Sequence, residues 1–127
     1  VVWLSEYKEE LKEKIEIYIR RKDVHAISRT KDTAIAIIGR EIAGLLILKI
    51  ENEITELNYI EVEEHFRRRG VATLLMNEAL LRAKHFLYVE VPDSPILNSF
   101  FSRFQNTPLK YNRINHRLMI HPSAQKL

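Results

Sequence analysis

Apolar positions in this chain recur first with a helical period and then with the continuous runs of strands. Over residues 5–22, SEYKEELKEKIEIYIRRK, Tyr7, Leu11, Ile15 and Tyr18 recur at spacings of four, four and three, which aligns them on one face of a helix. Ser5 can cap its start, and Arg20, Arg21 and Lys22 suit its negative C-terminal end. A polar stretch from Asp23 to Asp32 leads into TAIAIIGREIAGLLILKIENEITELNYIEV. Its Ile- and Leu-rich runs predict three strands over about 33–38, 41–50 and 54–62, with turns at Gly39-Arg40 and Glu51-Asn52-Glu53. Short turns between consecutive strands give an antiparallel meander. The next segment, VATLLMNEALLRAKHF, predicts a helix over 71–85 with Val71, Leu74, Leu75, Met76, Ala79, Leu80 and Ala83 available for burial.

The run Phe86 to Val91 predicts a further strand, parallel to 54–62 through a right-handed crossover. Pro92, Asp93, Ser94 and Pro95 break the chain, a short helix over about 96–105 follows, and LKYNRINHRLMIHP supplies one or two closing strands. The class is α+β: a mixed sheet with a meander, one parallel pair and helices on both faces.

Composition narrows the function classes. At 127 residues the chain is expected to form one domain, residues 1–127. Apolar residues at 46% and charged residues at 29% are those of a globular protein, and no apolar run approaches the roughly 20 residues of a membrane span. Without a signal-peptide pattern at the first residues, a cytoplasmic location is the expectation. Zero cysteine excludes disulfides, thiol nucleophiles and cysteine-ligated zinc. The net charge of +3, from 20 basic and 17 acidic residues, does not argue for nucleic acid.

Candidate chemistry concentrates in HFRRRGVATLL, residues 65–75. Arg67, Arg68 and Arg69 are open to three readings: a nucleic-acid patch, a solvated charged turn, or one wall of a site for a small phosphorylated ligand. A glycine turn that opens a helix directs unpaired N–H groups toward one point, where the helix dipole adds positive potential. Gly70 permits close backbone approach, Ala72 keeps the helix start uncluttered, and the contacts are expected from the amides of residues 68–73. Nucleic acid is not expected as a partner, because no aromatic residues interleave with the basic ones. His25, His65, His85, His116 and His121 are scattered, and the last two point to opposite faces of a strand, so no metal site is expected. Trp3 reads as an apolar anchor for the first helix together with Tyr7. Glu63 and Glu64 read as surface charges before the arginines.

The order of elements resembles the GCN5-related N-acetyltransferase family, and three local matches support it. Arg67-Arg68-Arg69-Gly70-Val71-Ala72 fits the family's Q/R-x-x-G-x-G/A acetyl-CoA signature. Glu56-Leu57-Asn58-Tyr59-Ile60-Glu61-Val62 is similar to its fourth strand, E-L-x-x-I-x-V, and Gly39 to Gly44 is similar to the hairpin before it. The match covers residues 33–105 best.

The resemblance implies an acetyl-CoA-dependent N-acetyltransferase that transfers an acetyl group to an amine by direct attack in a ternary complex, without a metal. It implies that acetyl-CoA meets Ile60, Val62, Arg67, Arg68, Arg69, Gly70, Val71, Ala72, Thr73 and Asn98, with the pantetheine arm between 60–62 and 88–91. The Val62 N–H would stabilise the oxyanion, and Glu56 occupies a place from which some members draw a general base; a solvated strand-end carboxylate is its other reading. Tyr59 and Glu61 alternate with Glu56 in direction, so Glu61 follows as base only if its face lines the cleft.

The family's asparagine and thiolate-protonating tyrosine align with Asn98 and Gln105 in one register, or with Ser94 and Phe101 in another. Neither supplies a tyrosine, which leaves water or Tyr111 as the acid. Val1 to Leu4 reads as a shortened first strand, so the acceptor side is open, shallow or completed by a homodimer partner; Lys110, Arg113 and Arg117, with Tyr111 and His116, offer a solvated strand face or an oligomer contact ahead of a surface for RNA or DNA. The alternative to the enzyme is a weakly catalytic module of the same fold that binds CoA or acyl-CoA as a sensor. The amine acceptor is not identified by the sequence.

Overall fold

The structure is a computed structural model that describes residues 1–3, 9–22, 32–83, 85–90, 99–101, 103 and 117–120. The elements are β1 (Val2–Trp3), α1 (Glu9–Lys22), β2 (Thr33–Ile38), β3 (Glu41–Glu51), β4 (Ile54–Val62), α2 (Val71–Arg82), β5 (Leu87–Glu90) and β6 (Arg117–Ile120). The strands hydrogen-bond in chain order, β1-β2-β3-β4-β5-β6. β1/β2, β2/β3 and β5/β6 are antiparallel. β4 and β5 are parallel, with Thr55, Glu56 and Leu57 opposite Leu87, Tyr88 and Val89. This is the expected mixed sheet.

The chain clusters into two compact units. The first, Val1–Ile47 with Tyr59–Leu75, has helices on both faces of its strands. On one face Ile15 of α1 forms a buried core with Ile35, Leu45 and Ile47, flanked by Leu11, Tyr18, Ile19, Ile37, Ile42 and Tyr59. The predicted stripe of α1 is therefore the packed face; Tyr7 and Ser5 lie outside the described residues. On the other face, a Cβ placed on Gly44 would meet the side chains of Val71 and Leu75 at 3.3 and 3.1 Å and the backbone oxygen of Glu61 at 2.9 Å. α2 thus rests on β3 and the end of β4 only because residue 44 lacks a side chain. The register of β2 against β3 skips Ala43, since Ala36 faces Gly44 and Ile37 faces Ile42. That bulge lets Ile42 and Leu45 join the same apolar face. Trp3 is buried where β1 pairs with β2.

In the second unit, Leu48–Asn58 with Met76–Leu127, Leu87, Val89 and Ile120 fill the interior of β5 and β6, and Met76, Ala79, Leu80 and Ala83 are buried from α2.

Two expectations need correction. The α2 helix ends at Arg82, not at residue 85, and β5 begins at Leu87 with Phe86 still outside it. No glycine or proline marks this stop in the sequence, so the apolar period overran it. Leu74 is 48% exposed rather than buried; with Leu75 and Met76 beside it, the helix carries more apolar residues than its packed face accommodates. Of the short helix expected at 96–105, Ser99–Phe101 are helical and Phe101 is buried; most of the rest lies outside the described residues. Among the described residues no helix is long and apolar enough to cross a membrane.

Candidate functional site

The site grows from the end of β4. The N–H of Glu63 donates to the Ala43 oxygen at 2.8 Å, and the Glu61 oxygen is turned toward Gly44, so the backbone groups of residues 61 and 63 face β3. Along a strand these groups alternate between edges. The N–H and C=O of Val62, and those of Ile60, therefore face the edge away from β3. On that edge the Val62 carbonyl accepts a hydrogen bond from Arg67 Nε at 3.1 Å.

A single 3₁₀ turn, Glu64–Phe66, carries the chain into the arginines. Phe66 is buried, and the Arg69 guanidinium lies 5.7 Å from its ring centroid, a cation–π contact that draws Arg69 back over the turn. Arg68 has φ +64° and Gly70 φ +80°, with Arg69 between them at negative φ. That alternation is the backbone pattern whose N–H groups converge on an anion. Leu74 N–H donates to the Gly70 carbonyl at 3.0 Å, so Gly70 caps α2 and the N–H groups of residues 70–73 have no acceptor within the helix. A Cβ on Gly70 would meet nothing within 4 Å. Val71 is buried, whereas Ala72 and Thr73 are half-buried and Arg67, Arg68 and Arg69 are exposed. The cradle thus brings Ile60, Val62 and residues 67–73 into one unit.

Glu56 is half-buried in the second unit, opposite Tyr88 of β5. Asn98, Ser94, Gln105 and Tyr111 lie outside the described residues, as do His25, His116 and His121. His65 and His85 are exposed, and His85 Nε2 lies 3.4 Å from Glu53.

Local sequence reading missed a charged cluster on the α1 face. Lys22 Nζ lies 2.7 Å from both Glu61 and Glu63, Tyr18 donates its hydroxyl to Glu63 at 2.6 Å, and Tyr59 donates to Glu61. Glu63 is therefore a held carboxylate rather than a free surface charge; Glu64 is exposed as expected. Hydrogen bonds from Lys22, and then from Tyr59 and Tyr18 respectively, hold Glu61 and Glu63 below the usual carboxylate range. The same two carboxylates raise Lys22. Burial first, and then the bond to Glu63 or Glu61, raises Tyr18 and Tyr59. A carboxylate kept ionised and occupied in this way is a weak proton acceptor, which argues against Glu61 as a general base. The available signal was the pairing of Lys22 at a helix end with acidic residues at a strand end. Their separation in sequence, 39 residues for Lys22 and Glu61, hides it from any local window.

The chain belongs to the Acetyltransferase (GNAT) family, whose model matches residues 2–103. Acetyl transfer from acetyl-CoA is the general activity of that family. Among curated proteins, none matches by sequence. Among solved structures, Tetrahymena GCN5 is similar over 94% of this chain and 96% of its own, with TM-score 0.58 and 11% identity. The ribosomal-protein-S18-alanine N-acetyltransferase of Escherichia coli is similar over 75% and 70%, with TM-score 0.54 and 16% identity. A Bacillus anthracis acetyltransferase solved with acetyl coenzyme A is similar over 69% and 59%, with TM-score 0.51 and 20% identity. At these identities the likeness is one of fold.

Proposed function

We propose that residues 1–127 act as a single N-acetyltransferase domain that passes an acetyl group from acetyl-CoA directly to an amine. The observation that carries this reading is the open space over Gly70, at positive φ, beside the amides of residues 70–73, which have no acceptor within α2. The amides of residues 70–73 suit a pyrophosphate, and Arg68 adds positive potential there. Acetyl-CoA supplies the activated acyl group. The neutral amine attacks the thioester carbonyl, the Val62 N–H stabilises the oxyanion, the C–N bond forms and the C–S bond breaks, and the thiolate leaves to take a proton. Glu56 is the residue we assign to accept the amine's proton, directly or through water. Asn98 remains our assignment for a pantetheine contact.

The weakly catalytic alternative draws on one observation. Phe101, which stands at the acid's place in one register, is buried and packed edge-on against Phe100 at 5.1 Å, and it carries no proton to give. Calorimetry with acetyl-CoA, followed by turnover across a panel of amines, tests both readings. The enzyme requires binding and thioester consumption, with Glu56→Gln slowing transfer and changing the pH–rate profile while sparing binding. Tight binding with no consumption on any amine selects the sensor. No binding at all rejects both.

A further inference from the structure

The peptide plane joining Val62 and Glu63 is pinned at both ends. Its N–H donates to Ala43 of β3 at 2.8 Å, and its carbonyl accepts from Arg67 Nε at 3.1 Å. Two such bonds leave the plane little freedom to rotate about its own axis, and the orientation of the Val62 N–H follows from the plane beside it. An oxyanion donor works to the extent that it is fixed before the charge develops. The guanidinium also lies along the same strand edge that the Val62 N–H faces, since both groups of one residue point the same way in a strand.

We propose that Arg67 is a positioning residue for the transfer reaction: its Nε–H staples the Val62 carbonyl and so aims the Val62 N–H at the substrate carbonyl, rather than binding phosphate. The role rests on the acetyltransferase reading above. It uses an atom-level requirement that charge alone does not meet. The donor is the nitrogen bonded to Cδ, and glutamine carries an N–H donor at that same place. Lysine keeps the positive charge but has a carbon there, with its nitrogen one atom further out.

The two roles for Arg67 therefore predict opposite rankings. Under the staple, Arg67→Gln keeps kcat within about threefold, while Arg67→Lys and Arg67→Ala lose on the order of tenfold or more, and the Kd for CoA stays within about twofold in all three. Under phosphate binding, Arg67→Lys stays near wild type, Arg67→Gln resembles Arg67→Ala, and the loss falls on Kd and KM. That second pattern overturns the proposal. Backbone amide exchange adds a readout that needs no substrate: the Glu63 N–H should exchange faster in Arg67→Ala and Arg67→Lys than in wild type or Arg67→Gln. Equal exchange in all four proteins also overturns it. Wild-type protein that binds no acetyl-CoA rejects the acetyltransferase reading and the positioning role together; normal binding with equal kcat in all variants rejects the positioning role alone.

Discussion

Replacing Gly70 by alanine separates what this glycine does for the fold from what it does for a ligand. Its φ is +80°, a conformation that costs a residue with a side chain about 1–2 kcal/mol. No steric cost adds to this, because the new Cβ would meet nothing within 4 Å. At this chain length that corresponds to a fall in melting temperature of about 4–8 °C. The same empty space is where the pyrophosphate of acetyl-CoA would lie against the amides of residues 70–73. A methyl group there holds the phosphate oxygens off the N–H groups, and a loss of at least about tenfold in affinity, ~1.4 kcal/mol, is expected.

Gly39 provides an internal control. It too has positive φ, +63°, and its Cβ would also meet nothing within 4 Å, but it sits in the β2–β3 turn. Gly39→Ala should lower the melting temperature by a similar amount and leave acetyl-CoA affinity unchanged. Calorimetric titration of both variants, below their melting temperatures, is the assay. If Gly70→Ala melts lower yet binds acetyl-CoA within about twofold of wild type, the pyrophosphate is not cradled at this turn.

Three further outcomes follow from packing and charge. Gly44→Ala forces a Cβ to 2.9 Å from the Glu61 backbone oxygen, which backbone cannot yield without a shift, so urea unfolding should show a loss of about 1–3 kcal/mol. Thr33→Val should gain about 1 kcal/mol in the same assay, because the buried Thr33 hydroxyl has no hydrogen-bond partner among the described residues and valine keeps its shape. The Lys22 cluster makes stability depend on pH at both ends. Glu61 and Glu63 are lowered from 4.5, so their contribution is present above that value and is lost as pH falls through their folded pKa values. Lys22, raised from 10.5, and Tyr59, raised from 10.0, contribute below those values and lose their effect as pH rises through the folded ones. Unfolding midpoints should therefore plateau between about pH 4.5 and 10, and Lys22→Met should weaken the acid flank; an unaltered acid flank would show that the ion pairs carry no stability.

Most of the β2-β3-β4 stretch was legible because its signals are local. Gly39-Arg40 and Asn52-Glu53 bound β3 and β4 within a residue of expectation, and both turns use the left-handed region, at Gly39 in the first and at Asn52 and Glu53 in the second. The stop of α2 was not legible, since it depends on where β5 must begin rather than on any breaker between Arg82 and His85. Leu74 was misplaced for a related reason: periodicity shows which residues are apolar, while the width of the face that finds a partner is set by Gly44 and the strands beneath it. Glu63 shows the limit most sharply. Its neighbours in sequence are a glutamate and an arginine turn, and only folding brings Lys22 and Tyr18 to it.

The same contrast changes what the arginine run means. In the sequence its three members differ only in position, and all three offer charge. In the fold they divide: Arg69 lies over Phe66, Arg68 takes the left-handed conformation that helps turn the amides inward, and Arg67 reaches back to the Val62 carbonyl. Meanwhile Lys22 holds Glu61 and Glu63 on the α1 face. Val62 is thus flanked by two held side chains on the α1 face and bonded through its own carbonyl on the edge away from β3, so the end of β4 is tied from two directions.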